Sequence, residues 1–514
     1  MNKKRLTTNL IGQLTSFACS LGISFFLTPY VVESLGRDAY GFVGLANSIT
    51  GYITLFTVAI NGMLSRYITI EFNKKEYKSA SGYFSTALIA QGILALFLLI
   101  PMMLLAANMG LVFDVSPELA PDVKILWAMV FLTFLCGLPA AGYGTATFAT
   151  NRLDIGAVFG IINNVLRAGI LIVTFAFFTP HVWYIGLASI ASSTVGIILN
   201  MAAKKRLMPE VELGIRHFDK KYIHNLLTVG IWNSLNRLQQ ILYTGLDLTI
   251  TNLFINATEM GTLSIAKAIP TQISTLISTI SGTFDPTMTI SYAKGDMKDF
   301  LHQTKFAMKF SGFLCSVPIL GFVAFGQKFY HLWMPTLSEA DVLKIQILAV
   351  LTMLPQVFSV YIFPLYTVNT ITTKLKVPVF VSIGIGVANV LIVFTLLKTT
   401  TLGVYAVAGV SSILWLFRIF TFVPTYAAWS LKQPWTMFYG PLLKGVLNVV
   451  IVGGCFTLIS CRVSVTTWMG LVLLCGCAGL FGYVLSFMVM FEKADRQRAL
   501  GTLKNKFLKK GKAS

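Results

Sequence analysis

Between residues 223 and 252 the chain places Asn233, Asn236, Arg237, Gln240, Thr244 and Asp247 at relative positions 0, 3, 4, 7, 11 and 14. That spacing is one stripe of a 3.6-residue helix. Amide and hydroxyl groups are natural partners for sugar hydroxyls. A guanidinium is a planar, permanently charged fork suited to phosphate oxygens. A second cation, Arg167, sits mid-way along another apolar run beside Asn163 and Asn164. An Arg at the centre of a membrane helix costs about 2.5–3.5 kcal/mol even on the lenient insertion scale, so two of them need a reason. One reason is an anion held in a cavity; the other is hydrogen bonding to Asn or carbonyl groups between helices. Milder stripes run through Asn9, Gln13, Ser16, Ser20 and Ser24, and through Lys267, Thr271, Thr275 and Ser278. Stripes this polar face a wet chamber or a tightly packed polar interface, not lipid. Asp247 and Lys267 either pair across neighbouring helices or touch cargo. Asp285, before Pro286, reads as a surface or gate residue, and with Asp247 it is a candidate for ion coupling. Arg237 and Asp247 cannot pair directly, since ten residues are about 15 Å at helical rise.

The elements that carry these stripes are set by composition. Of 514 residues, 55% are hydrophobic and only 12% charged, with a mean hydropathy of +0.74. Soluble domains carry about twice that charge, which excludes an ordinary water-soluble enzyme and a disordered chain. The apolar runs are long and unbroken, unlike the alternating ten-residue segments of a membrane barrel. The expected fold is an all-α polytopic membrane protein with about fourteen spans, near residues 9–32, 40–63, 83–108, 123–148, 156–178, 183–202, 223–252, 260–284, 306–327, 342–366, 378–397, 402–426, 442–460 and 466–490. The N-terminal Lys3-Lys4-Arg5 and following apolar run read as a first span, because no small-x-small cleavage site lies near the run's end.

With both termini in the cytoplasm, thirty of the forty Lys and Arg residues fall in inside segments, six in outside segments and four within spans. This positive-inside bias accounts for the net charge of +20 without a nucleic-acid partner. The basic tail is placed against anionic headgroups. The seven Cys are scattered and read as reduced. The five His (181, 217, 224, 302 and 331) are dispersed near span ends, so neither a metal nor a cofactor is expected.

The chain also repeats itself. A shift of 220 lays Tyr40–Ile49 on Met260–Ile269. The same shift lays Ile60, Gly62, Thr69, Ile70, Lys74 and Lys78 on Ile280, Gly282, Thr289, Ile290, Lys294 and Lys298. One offset held through a helix, its loop and its flanking charges marks a duplication. Both copies start on the same side, so the repeats are parallel, with an axis along the membrane normal. The organisation read from this is a lobe of six spans at 1–202, a basic cytoplasmic linker at 203–222, a second lobe of six at 223–428, and two added spans with a basic tail at 429–514.

Six-plus-six parallel repeats, an added pair of spans, and Leu35-Gly36-Arg37-Asp38-Ala39-Tyr40-Gly41 between spans 1 and 2 resemble the polysaccharide-transport branch of the multidrug/oligosaccharidyl-lipid/polysaccharide exporter superfamily. The resemblance covers the whole chain by topology and rests on a short motif. It implies two lobes around a cavity lined by spans 1, 2, 7 and 8, an alternating-access cycle, and an undecaprenyl-pyrophosphate-linked oligosaccharide as cargo. It also implies a bacterial inner-membrane location, and membrane lipids and polysaccharide polymerase machinery as partners. In that reading Arg237, Arg167, Lys267, Asn233, Asn236, Gln240, Gln13 and Asn163 line the cargo site.

The alternative within the superfamily is a cation-coupled multidrug or small-molecule antiporter. Such antiporters use a buried carboxylate in span 1, and here span 1 has none before Glu33. An enzyme such as a polysaccharide polymerase would need a sizeable outer loop with catalytic residues, and the longest outer segments, near 109–122 and 328–341, hold no paired-carboxylate or His-rich constellation. No phosphate-binding loop is present to hydrolyse ATP.

Overall fold

The computed structural model describes residues 3–282, 284–372 and 374–492. The basic tail beyond residue 492 lies outside the described residues. Those described are helical throughout, with no strand among them. Among the described residues twelve helices are long and apolar enough to cross a membrane, and they coincide with spans 1–6 and 9–14 read from the sequence. Of the other two segments read as spans, span 7 is a broken helix, and span 8 is one helix followed by a short second piece. Span 7 runs as Lys220–Gln240, a π turn at Ile241–Gly245, and Asp247–Phe254. Span 8 runs as Ala257–Gly282 and Asp285–Ala293, so the break falls just before Pro286, which enters the first turn of the second piece where its missing N–H is harmless.

Helices extend past the apolar runs where polar side chains cap them. Asp219 accepts from the Lys221 N–H at 2.8 Å to start span 7, and Asp296 accepts from the Asp299 N–H at 3.0 Å to start span 9 (Met297–Trp333).

The duplication is written into the backbone. Lys75 and Gly295, 220 residues apart, both take left-handed φ, at 63° and 74°. The bonds Lys75 N–H to Phe72 O and Glu76 N–H to Glu71 O (3.0 and 2.9 Å) recur as Gly295 N–H to Tyr292 O and Asp296 N–H to Ser291 O (3.0 and 3.2 Å).

By contacts the chain forms two units. The first holds Met1–Ile265 with Gly386–Leu391 and Leu397–Val404. Within it, repeat-related residues touch each other. The Thr258 hydroxyl donates to Asp38 at 3.2 Å, a Cβ on Gly41 would lie 2.9 Å from the Gly261 Cα, and a Cβ on Gly44 would lie 2.5 Å from the Ser264 Oγ. Contacts of residue i with i+220, three in succession, mark a pseudo-two-fold axis between span 2 (Arg37–Asn73) and the start of span 8. Small residues there let the two backbones meet. Nearby, the Asn252 amide pairs with both backbone groups of Asp114, at 2.9 and 3.0 Å.

The second unit holds Ala266–Ile385, Ile392–Leu396 and Tyr405–Ser514. Its core centres on Tyr361 of span 10 (Glu339–Ile371), whose hydroxyl accepts from the Asn448 amide at 3.0 Å. The ring sits in a slot between Gly312 and Gly445, where added Cβ atoms would lie 2.1 and 2.7 Å from ring carbons. Near the end of the described chain Glu492 bonds Lys444 at 2.8 Å and faces Lys309 at 3.6 Å. The Lys444 hydrogen bond, then the Lys309 charge, hold the Glu492 carboxyl below its usual range. A depressed carboxylate adds stability above its unfolded pKa and loses it as pH falls through the folded value.

Gly445→Ala is expected to destabilise the second unit by about 1–3 kcal/mol through overpacking against Tyr361. A thermal midpoint equal to wild type in detergent would show that the slot is not tight.

Candidate functional site

Span 7 owes its position to span 2. From the Lys220 end toward the π turn, Gly230 lies so close to the Ala59 backbone that a Cβ would meet the carbonyl oxygen at 2.2 Å. The Ser234 hydroxyl donates to Leu55 O at 2.7 Å. The π turn then leaves backbone carbonyls without helical partners. Tyr52 donates to Gly245 O at 2.7 Å and shares a hydrogen bond with Thr249 at 2.7 Å, and the Asn389 amide reaches Leu242 O at 3.4 Å. Irregular backbone at membrane depth needs such partners, because lipid supplies none.

Arg237 occupies the middle of this seam, half-buried. Its Nε donates to the Thr54 hydroxyl oxygen at 2.9 Å and to Gly51 O at 3.3 Å. Nη2 donates to Gly51 O at 3.2 Å, and Nη1 to the Gln240 side-chain oxygen at 3.0 Å. Every one of these acceptors is neutral, so the guanidinium keeps its whole charge. Gln240 is exposed, which places the Nη1 side of Arg237 toward open space. The backbones of Asn233 and Asn236 lie on the same helix; their side chains, and that of Thr244, are outside the described residues.

Arg167 lies on span 5 (Leu153–Phe177). Its Nε is shielded from solvent and has no hydrogen-bond partner among the described residues. A polar group close enough to interact with it is the Tyr40 hydroxyl of span 2. One turn away, the Asn163 amide packs against Gly196 of span 6, and its Oδ1 is likewise unpartnered among the described residues. Gln13 of span 1 is exposed. Asn9, by contrast, is buried and structural: it bonds the Asn151 side chain at 2.9 Å and accepts from the Asp154 N–H at 3.1 Å, fixing the turn into span 5.

Asp247 is 4% exposed at the start of the piece that follows the π turn. In the second unit Lys267 is half-buried, and its carbonyl accepts from Thr271 at 2.7 Å. Thr271, Thr275 and Ser278 follow along one exposed face, each bonded to its own helix. Asp285 accepts from Thr367 at 2.7 Å. Arg418, 5% exposed, stacks over Tyr366 at 5.5 Å. Between spans 9, 13 (Tyr439–Arg462) and 14 (Trp468–Met490) lies an apolar cavity of about 360 Å³, walled by Phe322, Phe325, Phe329, Phe456 and Leu471.

The structure thus joins Arg237 to Gln240, and places Arg167 with Asn163 on a second helix of the same unit. Missing from the sequence reading were Gly51, Tyr52 and Thr54 of span 2. A glycine, a tyrosine and a threonine within four residues of an apolar helix were the available signal.

A broken, polar helix braced inside a bundle of apolar spans defines a membrane transporter. The polysaccharide biosynthesis protein family model matches residues 6–290, and the chain belongs to that family of transporters. A relative in Bacillus subtilis (strain 168), the uncharacterized membrane protein EpsK, is 27% identical over 503 residues, covering 96% of this chain and 97% of its own. Among solved structures, the lipid II flippase MurJ in an inward closed conformation matches with TM-score 0.66 and 15% identity, over 93% of this chain and 98% of its own. A multidrug resistance MATE family transporter of the MOP superfamily, inward-facing, matches with TM-score 0.64 and 16% identity, over 83% of this chain and 98% of its own. At those identities the two structures speak for the fold.

Replacing Arg167 with Met should leave the thermal midpoint unchanged or raise it, since a shielded Nε without a partner among the described residues is removed. A lower midpoint would mean that Arg167 holds the fold together.

Proposed function

We propose that the protein flips undecaprenyl-pyrophosphate-linked oligosaccharide units from the inner to the outer leaflet of a bacterial inner membrane, for synthesis of a surface polysaccharide. The observation that carries this reading is Arg237: a cation on a polar helix face, bonded among the described residues to neutral acceptors. Such a group attracts an anion and repels a cationic drug. In the cycle we infer, both termini are cytoplasmic and the site first opens to the cytoplasm. Arg237 and Arg167 hold the pyrophosphate. Asn233, Asn236, Gln240, Gln13, Asn163 and the hydroxyls of span 8 bind sugar, and Lys267 takes acidic groups of the glycan. The polyprenyl tail stays in lipid. Lobes at 1–202 and 223–428 then rock outward. Asp247 and Asp285 are the carboxylates placed to couple an ion or set a gate. The membrane-depth positions of the site carry chemistry for binding, and the enzyme reading finds no support in them.

Deleting the gene should cause an isoprenoid-pyrophosphate oligosaccharide to accumulate in membrane lipid extracts, read by mass spectrometry. Complementation with Arg237→Ala should leave that accumulation in place at normal protein level, and Arg237→Lys should relieve it in part, because charge is kept and the fork is lost. Unchanged lipids and surface polysaccharide after deletion, in a strain without a second flippase, would favour small-molecule antiport instead.

A further inference from the structure

We infer that Gly51 and Thr54 of span 2 are positioning residues: they grip one edge of the Arg237 guanidinium so that its remaining N–H groups receive a single phosphate-type oxyanion of the cargo. This rests on the anion-binding reading of Arg237 given above.

The geometry is directional. The Thr54 hydroxyl donates to Gly51 O at 2.6 Å, which turns its lone pairs toward Arg237 Nε at 2.9 Å. The same Gly51 carbonyl accepts from Nε and Nη2, at 3.3 and 3.2 Å. One side edge of the guanidinium is therefore closed around a backbone carbonyl that cannot swing away. Gln240 takes one N–H of Nη1 at 3.0 Å. Of the five N–H groups of an arginine, two, one on each Nη, take no partner among the described residues, and they lie next to the exposed Gln240.

A carbonyl-clamped arginine is preorganised: the rotamer entropy of a long side chain is lost before the ligand arrives. Two N–H groups on adjacent nitrogens suit one tetrahedral oxyanion, whereas an unclamped arginine could present any edge. Gly51 is also the residue type the clamp needs. A Cβ there would lie 3.1 Å from Nη2, so the guanidinium would have to give by a few tenths of an ångström. Neither residue reaches the open side, so both act through Arg237.

The test titrates geranylgeranyl pyrophosphate, an isoprenoid pyrophosphate, into detergent-solubilised full-length protein by calorimetry. Thr54→Val and Gly51→Ala should each weaken binding about tenfold, the scale of a lost hydrogen bond to a charged group, and Thr54→Ser should bind within about twofold of wild type. In an Arg237→Ala background Thr54→Val should change residual binding no further. Gel filtration and thermal midpoints check folding, and Thr54→Ala stands in if Thr54→Val is not monodisperse. Wild-type binding by Thr54→Val and Gly51→Ala, with loss in Arg237→Ala, overturns the positioning role and leaves the anion reading standing. An equal Thr54→Val effect with and without Arg237 also overturns it, as a purely structural role. Wild-type binding by Arg237→Ala overturns the anion reading itself.

Discussion

A polar group at membrane depth has no water to fall back on, so each must find a partner within the protein or face a wet space. Span 7 carries more such groups than any other segment of this chain, and its geometry follows from that constraint. It bends through a π turn, and the carbonyls freed at Leu242 and Gly245 are taken up by Asn389 and Tyr52. Its arginine is received by a span 2 carbonyl and hydroxyl. Span 2 is the long helix against which this is built, with glycine or alanine where the backbones approach and Tyr52 or Thr54 where a hydrogen bond is needed.

The duplication explains why span 2 can do this. Repeat mates Asp38 and Thr258, Gly41 and Gly261, and Gly44 and Ser264 meet on the pseudo-two-fold axis, bringing the start of span 8 beside span 2. Symmetry ends at the chemistry. Span 1, the repeat mate of span 7, spends Asn9 on the turn into span 5, while span 7 carries Arg237 toward an open side. Side chains at equivalent places in the two repeats are thus put to different uses.

The three mid-span arginines show how differently one residue type is accommodated. Arg237 is bonded to neutral oxygens, Arg418 is laid over the Tyr366 ring, and the shielded Nε of Arg167 has no hydrogen-bond partner among the described residues. The first combines a fixed orientation with an open edge. The last keeps an uncompensated cost of burial, which an approaching anion would relieve.

Much of this protein was legible in its sequence, because a bilayer imposes length and apolarity on every span. The all-helical fold, the twelve apolar helices, the offset of 220 and the polar stripe of span 7 are all properties of residue order. Span 7 was legible as a helix but not as a broken one, since the π turn at Ile241–Gly245 has no mark in the sequence, whereas the end of span 8 had Pro286 to announce it. Partners were not legible. That Asn9 would serve a turn 142 residues away, and that Arg237 would be gripped by Gly51 and Thr54, depends on which faces meet, and residue order does not carry that. Helical periodicity says which side chains share a face. Only the tertiary structure decides what that face meets, because every polar group on it must be satisfied by atoms brought from elsewhere in the chain.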